Sequence, residues 1–574
     1  MNELRQLLET YRKSAKSERE KGAYFEELTK AYLRNEPSYK DIYCEVWSYP
    51  DWARERGLDA RDTGIDLVAS LSSTDKYHAI QCKFYDENYR IRKGDINSFF
   101  LASGQEDFAH RIIVSTTNNW SKNAELSLAG QQPPVTKIDL QTLEKSQIDW
   151  STFKPHMKPE LKRKYDPRPH QAKAIADVIG GLKTVNRGKL IMACGTGKTY
   201  TSLKITEEIA GRGGRVLLLV PSLALLSQIL TEWTQQSTTP LHSFAVCSDS
   251  EVGKKAKRGN KNEDSIKILV HELRYPATTN SRRLAEEVAK RHDLDHMSVV
   301  FSTYHSIGVI SQAQKTYGLS DFDIIIYDEA HRTTGATFED ESESSFVRVH
   351  NADFISSNKR LYMTATPRIY ADSAKAAAIQ ESAVLCSMDD EGLYGKELHT
   401  LNFSDAVEQN LLTDYKVIIL TIDRGHVSSR LQDLLKDENN QLKVDDAARI
   451  VGCWKALGKQ GVEDELDDGG AMHRAVAFAQ VIDPKPRARV HKISSRQIAN
   501  MFQEVVEAYQ EQEEVKDHLI CEARHVDGSM NATGKEEHLN WLREGSNGEA
   551  CHILTNVRCL SEGIDVPSST LSYS

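Results

Sequence analysis

Apolar residues in the first 150 positions occur in short runs between charged stretches, which predicts a small α/β domain. Aromatic and aliphatic residues fall at helical spacing in GAYFEELTKAYLR, residues 22–34, so a helix is predicted there. A second helix is predicted over 94–103, with Asp95 as its cap. Strands are predicted at residues 64–71, 78–84 and 110–116.

From about residue 167 the pattern changes to near-continuous apolar strands that alternate with helical stretches. Strands of this kind are buried on both faces, as in a parallel sheet. They are predicted at 189–194, 215–221, 298–303, 323–329 and 360–366, and again at 415–421, 474–480 and 551–557. A charged stretch at about 428–470 is predicted to be a helical insertion.

The length and charge of the chain limit the class of protein. At about 150 residues per domain, 574 residues predict three or four domains. Lys and Arg total 73 against 83 Asp and Glu, and the net charge of −10 excludes a histone-like protein but allows a local basic groove. No apolar run approaches a membrane span, and no secretory signal is visible. The nine cysteines form no C-x-x-C pair, so reduced thiols and a cytoplasmic location are expected.

Residues 154–173 hold seven Lys or Arg, two acidic residues and four prolines. Prolines at this density break regular structure, so residues 151–166 are predicted to be a linker. Two interpretations of its charge remain open. It is either a solvated connector or a positive strip that follows a phosphate backbone.

Two motifs at predicted strand ends indicate a nucleotide site. The first follows an apolar strand, opens a helix and reads Gly195, Thr196, Gly197, Lys198, Thr199. Glycines let backbone N–H groups surround phosphate oxygens, while Lys198 would reach the β- and γ-phosphates and Thr199 would ligate Mg²⁺. The usual pattern has a further glycine where this chain has Met192.

The second motif is Asp328 and Glu329 at the end of an apolar strand, where α/β folds place their chemistry. Asp328 would hold Mg²⁺ through water, and Glu329 would orient the water that attacks ATP. An acidic pair at a strand end is by itself more often a helix cap. Together with the phosphate loop it favours ATP hydrolysis.

With these motifs the chain resembles the superfamily 2 helicases, and further stretches match that family in order. They are a Q-motif at 167–171, DNA-contacting motifs at 220–222 and 302–304, motif III at 364–367 and motif V at 558–567. The resemblance implies that Gln171 reads adenine and that Gly563 and Asp565 contact the ribose and the nucleotide cleft. It also implies two RecA-like lobes, at 167–395 and 396–574, with ATP between them and DNA across the top.

The arginine-rich motif VI of that family is not found after motif V in the 574 residues. In the family this motif supplies an arginine finger that stabilises charge on the transferring phosphoryl group. The second lobe is therefore expected to be incomplete as given.

In the first domain, Asp66, Gln81 and Lys83 fall on two predicted strands. Gln81 and Lys83 are two apart and share a face, with Cys82 on the opposite side. A carboxylate and a carbonyl oxygen can hold Mg²⁺, which activates water, and a lysine can polarise the nucleophile. The group therefore suits hydrolysis of a phosphodiester.

This pattern resembles the PD-(D/E)xK nucleases in the Mrr-like branch, where glutamine replaces an acid. The resemblance implies that Asp66 is the main metal ligand, Gln81 the second and Lys83 the catalytic lysine. Glu26 on the opening helix would be an auxiliary ligand. Ile65 stands where the family often has proline.

An Mrr-like nuclease at 1–150, followed by a DEAH translocase, resembles the N-terminal part of type ISP restriction-modification enzymes. The resemblance implies an ATP- and Mg²⁺-dependent translocase and endonuclease acting on double-stranded foreign DNA. It also implies methyltransferase and target-recognition domains encoded downstream. The alternatives are an inactive DNA- and ATP-binding remnant, or a repair helicase whose first domain only binds DNA. The predicted fold class is α/β, a restriction-endonuclease-like domain followed by two RecA-like parallel-sheet lobes, the second incomplete.

Overall fold

The computed structural model describes residues 3–61, 64–72, 74–128, 130–247, 273, 275–337, 345–380, 384–414, 444–459, 471–483, 494–513, 519–527, 530, 532–545, 550–557 and 570–573. The chain divides into two compact units. The first comprises residues 1–254 and 268–412, and the second comprises 255–267 and 413–574. Each unit is described by itself.

The N-terminal part of the first unit is a five-stranded mixed sheet with helices on both faces. Its strands β1 to β5 lie in chain order and are Tyr43–Ser48, Leu67–Leu71, Tyr77–Lys83, Phe108–Ser115 and Val135–Ile138. Strand β2 pairs antiparallel with both β1 and β3, whereas β4 pairs parallel with both β3 and β5. Helices α1 to α7 are Glu3–Ser14, Glu18–Asn35, Pro37–Lys40, Tyr49–Glu55, Lys93–Ala102, Lys122–Leu128 and Leu140–Glu144.

Alternate residues of β3 pack into two different cores. Ile80 joins a cluster with Phe25 of α2, whereas Ala79 joins a cluster with Trp52 of α4 and Phe99 of α5. The predicted strands correspond to β2, β3 and β4, and the predicted second helix corresponds to α5. Successive β3 side chains therefore face α2 and α5 in turn.

The rest of the first unit is an eight-stranded sheet in which every pair is parallel. Strands β6 to β15 are Arg187–Met192, Arg215–Val220, Leu241–Val246, Ala277–Thr278, Met297–Thr303, Phe322–Tyr327, Gly335–Thr337, Ser357–Thr364, Val384–Cys386 and Lys396–Leu401. Strands β12 and β14 form a separate two-stranded ribbon. The other eight strands form the sheet in the order β15-β6-β13-β11-β7-β10-β8-β9. Helices α8 to α16 are Pro169–Leu182, Lys198–Ile209, Leu223–Gln236, Ser281–Arg291, Ile307–Tyr317, Ser345–Arg348, Asp372–Gln380, Glu391–Tyr394 and Phe403–Glu408.

The parallel sheet predicted from the apolar runs is confirmed, and the carboxyl ends of its strands share one edge. Two boundaries differ from the predicted ones. Strand β15 pairs with β6, so the sheet extends past residue 395. The two sheets of the first unit also share one hydrophobic cluster, which includes Tyr39 before β1 and Trp233 of α10. Residue 150 therefore separates two sheets without separating two independent cores.

The described part of the second unit contains a four-stranded parallel sheet. Its strands β16 to β19 are Arg474–Phe478, Ile520–His525, Ala550–Asn556 and Thr570–Tyr573, and they lie in the order β17-β18-β16-β19. The helices are Val444–Leu457, Ser495–Glu513 and Ala532–Glu544. The predicted strand 415–421 and motif V, with Gly563 and Asp565, lie outside the described residues. So does most of 428–470, apart from 444–459. Within the described ranges, no helix has the length and apolar character needed to span a bilayer.

Candidate nuclease and nucleotide sites

The polar residues singled out in the first domain meet where β2 begins and β3 ends. The Asp66 backbone N–H donates to the Ile80 carbonyl at 3.0 Å, and Asp66 Oδ2 accepts from the Cys82 N–H at 2.6 Å. Lys83 is the last residue of β3. Because β2 and β3 are adjacent and antiparallel, Asp66, Gln81 and Lys83 lie at one end of the strand pair.

Gln81 has a satisfied amide nitrogen and an unsatisfied amide oxygen. The residue is 3% exposed, and its Nε2 donates to the Gly64 carbonyl at 3.0 Å. Its Oε1 is buried without a hydrogen-bond donor among the described residues. A buried acceptor without a donor costs about 1–3 kcal/mol. A carbonyl oxygen beside a carboxylate is a donor set that suits Mg²⁺, so these residues fit the implied metal.

Gly64 lets the chain pass close to α5 just before Asp66. Its φ is +90°, and a Cβ there would lie 3.2 Å from Ser98 Oγ and 3.3 Å from Ser98 Cβ. A larger residue would meet both backbone strain and this contact. The glycine therefore allows its own carbonyl to reach the Gln81 amide.

Glu26 lies on α2, which packs on the opposite face of β3 from Gln81. Cys82 faces α2 and packs partly against the cluster that contains Phe25. Burial raises the pKa of the Cys82 thiol, and the charges of Asp66 and Glu26 raise it further, while Lys83 opposes them. The charges of Asp66, Glu26 and Lys83 therefore all act on the Cys82 thiol near the end of β3. Whether Glu26 ligates metal stays a prediction.

The phosphate loop joins β6 to α9 through two left-handed glycines. Gly195 has a φ of +82°, and Gly197 has a φ of +84° and caps α9. A Cβ on Gly197 would lie 2.2 Å from Gln171 Nε2. Thr196 Oγ1 donates to the Ala193 carbonyl at 2.7 Å and closes the turn. Both backbone conformation and packing therefore require glycine at position 197.

Gln171 contacts the phosphate loop directly. Its Oε1 accepts from the Arg168 N–H at 2.9 Å, and its Nε2 donates to the Thr196 carbonyl at 3.3 Å. The Nε2 of His170 lies 3.0 Å from the same carbonyl. Gln171 therefore supports the loop in this structure, and its implied contact with adenine stays a prediction.

Lys198 and Thr199 are the first two residues of α9. The Lys198 side chain extends across the sheet edge to the acidic pair. Its Nζ lies 3.9 Å from Glu329 Oε1 and 3.4 Å from the Met192 carbonyl. Asp328 directly follows β11 and is 6% exposed. Strand β13 lies between β6 and β11, so the two motifs are on alternate strands of the sheet.

Glu329 has an unusual backbone conformation and a lowered pKa. Its φ is +48°, which is uncommon outside glycine and occurs most often at functional sites. Burial raises the pKa of Glu329, but His331 at 3.3 Å and the charges of Lys198 and Arg332 lower it more. The carboxylate is therefore ionised at neutral pH and able to accept a hydrogen bond from water.

Two hydrogen bonds link the segment of the acidic pair, residues 328–331, to neighbouring motifs. Tyr304 is fully buried, and its hydroxyl donates to the Asp328 carbonyl at 2.7 Å. The segment 302–304 resembles a DNA-contacting motif, but this tyrosine side chain supports the acidic pair instead. His331 Nδ1 lies 3.0 Å from Thr364 Oγ1 in motif III. Neither contact was predicted from the sequence, although a tyrosine directly after the apolar strand 298–303 is a signal of burial.

The first domain is attached to the parallel sheet through a charged joint around Asp41. Its Oδ1 lies 2.6 Å from His242 Nδ1, its Oδ2 accepts from the Ser243 N–H at 3.2 Å, and Arg291 also binds it. Burial lowers the pKa of His242, but its bonds to Asp41 and Asp293 raise it more, so the net pKa is raised. No sequence signal pairs residues 201 positions apart.

The comparisons with known proteins agree with this arrangement. Residues 34–160 match the family model Mrr_cat_2, described as restriction endonuclease, and residues 164–369 match ResIII, described as type III restriction enzyme, res subunit. The chain therefore contains a segment similar to restriction endonucleases, followed by a segment similar to the res subunit of type III restriction enzymes.

More specifically, the chain is similar to the type ISP restriction-modification enzymes. A solved structure described as the ATP-dependent type ISP restriction-modification enzyme LlaBIII bound to DNA matches 96% of this chain and 34% of its own. The TM-score is 0.77 and the identity is 36%.

Two curated relatives match shorter segments. The type I restriction enzyme EcoAI endonuclease subunit of Escherichia coli is 24% identical over 334 residues, which is 56% of this chain and 34% of that protein. The probable helicase A859L of African swine fever virus is 30% identical over 209 residues, which is 36% of this chain and 20% of that protein. The chain thus spans between a fifth and about a third of the length of these relatives.

Proposed function

We propose that this chain hydrolyses ATP to move along double-stranded DNA and cuts DNA with its N-terminal domain, in a restriction system directed against foreign DNA. Both reactions would depend on Mg²⁺. The observation that carries the motor assignment is the convergence of Lys198 and Glu329, 3.9 Å apart, at one sheet edge. These are the groups needed to hold phosphate and to orient an attacking water.

For the motor, the loop from Gly195 to Lys198 would cradle the phosphates, and Thr199 with Asp328 would hold the metal. Bound Mg²⁺ neutralises phosphate charge, and Glu329 would take a hydrogen bond from the attacking water. The hydrogen bond between His331 and Thr364 would couple movement at this site to motif III, because a shift of one residue displaces the other.

For the nuclease, the buried Oε1 of Gln81 favours cutting over mere DNA binding. A domain that only bound DNA would not need this buried acceptor, which has no donor among the described residues, at the strand end that also carries Asp66. Asp66 and Gln81 would hold the metal, and Lys83 would polarise the nucleophile. Glu26 is given no part in this arrangement because α2 packs on the opposite face of β3 from Gln81.

The motor is tested by ATP turnover with and without duplex DNA. Lys198→Ala and Glu329→Gln should each lower DNA-stimulated turnover by about 10²-fold or more. Lys183→Ala, an exposed lysine at the end of α8, is the matched control and should leave turnover unchanged. A wild-type chain that binds ATP but shows no DNA-stimulated turnover would support the alternative of an inactive DNA- and ATP-binding remnant.

The nuclease is tested by cleavage of supercoiled plasmid in Mg²⁺. Asp66→Ala and Lys83→Ala should both abolish cutting. Only Asp66→Ala should also weaken Mg²⁺ binding, because an ammonium group cannot ligate a cation. Asp59→Ala and Lys76→Ala change exposed residues of the same domain and serve as controls. Unchanged cutting by Asp66→Ala would leave a motor whose first domain only binds DNA.

A further inference from the structure

Residues 154–168, here called the strap, connect the nuclease domain to the motor sheet without helix or strand. The strap reads KPHMKPELKRKYDPR and carries six basic and two acidic residues, a net charge of +4 on a chain whose total charge is −10. Its charge is therefore opposite to that of the protein as a whole, and the proposed function gives it no role.

On one side the strap is bound to the nuclease domain. The Lys162 N–H donates to the Gln147 carbonyl at 2.7 Å, and the Gln147 side chain donates back to the Lys162 carbonyl at 2.8 Å. The Asp149 N–H donates to the Glu160 carbonyl at 2.9 Å. The Nζ of Lys162 also donates to the Ser146 carbonyl at 3.1 Å.

Further along, the strap is bound to the motor. The Tyr165 N–H donates to Gln236 Oε1 at 2.8 Å, and the Tyr165 carbonyl accepts from the Tyr200 hydroxyl. Lys164 Nζ donates to the Ser237 carbonyl at the end of α10. The middle of the strap, residues 160–165, is thus bonded to both the nuclease domain and the motor, and in this it differs from a flexible linker.

The groups that do not hold the strap point to solvent. Lys154 and Lys158 are exposed and have no ion pair with the described residues, and Arg163 is 87% exposed with only Asp166 as partner. A pair this exposed contributes little to stability. Exposed apolar side chains stand between and beside these cations: Met157 and Leu161 are 61% and 45% exposed, and Tyr165, which follows Arg163, is 67% exposed.

We propose that the strap is a binding track for the sugar–phosphate backbone of duplex DNA, passing between the motor and the nuclease. Exposed cations along the strap match phosphates, and the exposed apolar side chains match deoxyribose faces. Because the backbone at 160–165 is already held by bonds to both domains, DNA binding does not have to order that part of the strap. Such contacts carry no base specificity, as a translocating enzyme requires.

The inference rests on the proposed DNA-translocating function, and binding to a labelled duplex of arbitrary sequence tests it. The full chain is measured without nucleotide and in EDTA, at salt concentrations from 50 to 200 mM. Each phosphate contact contributes about 0.9 to the slope of log Kobs against log salt, so the triple variant Lys154→Gln, Lys158→Gln, Arg163→Gln should flatten the slope by up to about 2.7. A second, unrelated duplex should give the same change.

The matched control is Lys13→Gln, Lys16→Gln, Arg19→Gln, which removes the same charge from exposed positions near the N-terminus. It should leave the slope close to that of the wild type. An unchanged slope in the strap variant, with wild-type binding intact, would overturn the inference and assign the charge to an acidic protein segment instead. A wild-type chain that does not bind DNA would refute the proposed function itself.

Discussion

Replacing Gln81 by leucine should remove the proposed metal ligand of the first domain without unfolding its surroundings. Leucine is close to glutamine in volume, and the site is 3% exposed. The change removes the bond from Nε2 to the Gly64 carbonyl, a loss of about 1 kcal/mol. It also removes the buried Oε1, an unsatisfied acceptor whose cost is about 1–3 kcal/mol. The metal-free variant should therefore lie between equal stability and about 2 kcal/mol of stabilisation.

With Mg²⁺ bound, the wild type should become more stable than the Gln81→Leu variant. A ligand at a hundred times its Kd stabilises the folded state by about 2.7 kcal/mol. The wild type should gain this amount, and the leucine variant little of it. Because a chain with two compact units has no single unfolding transition, the assay is hydrogen exchange of the β2 and β3 amides, with and without Mg²⁺ and without nucleotide. Plasmid cleavage by the variant should be lost.

Gln131→Leu provides the comparison for Gln81→Leu. Both ends of the Gln131 amide are partnered, Nε2 with the Ser127 carbonyl at 2.8 Å and Oε1 with Arg111 at 3.3 Å. This variant should lose stability and keep the full response to Mg²⁺. Equal Mg²⁺ responses in the wild type and Gln81→Leu would refute the ligand role. So would a metal-free Gln81→Leu variant that exchanges β3 amides much faster than the wild type.

Three further predictions follow from single contacts. Tyr304→Phe should lower the kcat of ATP hydrolysis by about ten- to a hundredfold with little change in nucleotide affinity, measured by steady-state turnover, because the carbonyl of the DEAH aspartate loses its donor. His242→Gln should destabilise the joint more at pH 6 than at pH 9, measured by hydrogen exchange of the β8 amides relative to the wild type at each pH. The raised pKa of His242 gives stability that is fully present below the ordinary value of 6.5 and is lost as pH rises through the folded value. Gly64→Ala should reduce plasmid cutting, whereas Gly57→Ala, at a φ of +66° with open space around it, should not.

The parallel sheet could be predicted from the sequence because five of its apolar strands carry no polar alternation. The position of β13 between the two nucleotide motifs could not be, since the spatial order of parallel strands depends on crossovers that leave no local pattern. The membership of β15 in this sheet was missed for the same reason. Buried and exposed residues are mixed along β15, and its pairing with β6 shifts register between Glu397 and His399. Its sequence therefore lacks the continuous apolar run that identifies the central strands.

The site residues divide in a similar way. Lys198 and Glu329 could be predicted to meet because both lie in segments that leave the carboxyl ends of parallel strands, and such ends share one edge. The contacts of Tyr304 and His331 depend on side-chain directions that local spacing does not determine. The joint at Asp41 depends on the docking of one sheet against another. The strap could be recognised by composition, but only its hydrogen bonds distinguish a held track from a loose connector.

The glutamine at position 81, where many nucleases of the resembled type carry an acid, has a physical explanation in this structure. Its amide N–H donates to the Gly64 carbonyl, and this bond directs the oxygen the other way. A glutamate could not donate, so one of its oxygens would face that carbonyl in a nearly buried site. Burial and this repulsion would both raise its pKa and favour a protonated, poorly ligating form. Gln81→Glu should therefore lower Mg²⁺ affinity at pH 7 and recover part of it by pH 9, as measured by Mg²⁺ titration of β3 exchange. A variant that binds Mg²⁺ more tightly than the wild type at pH 7 would show that the Gly64 bond does not orient the ligand.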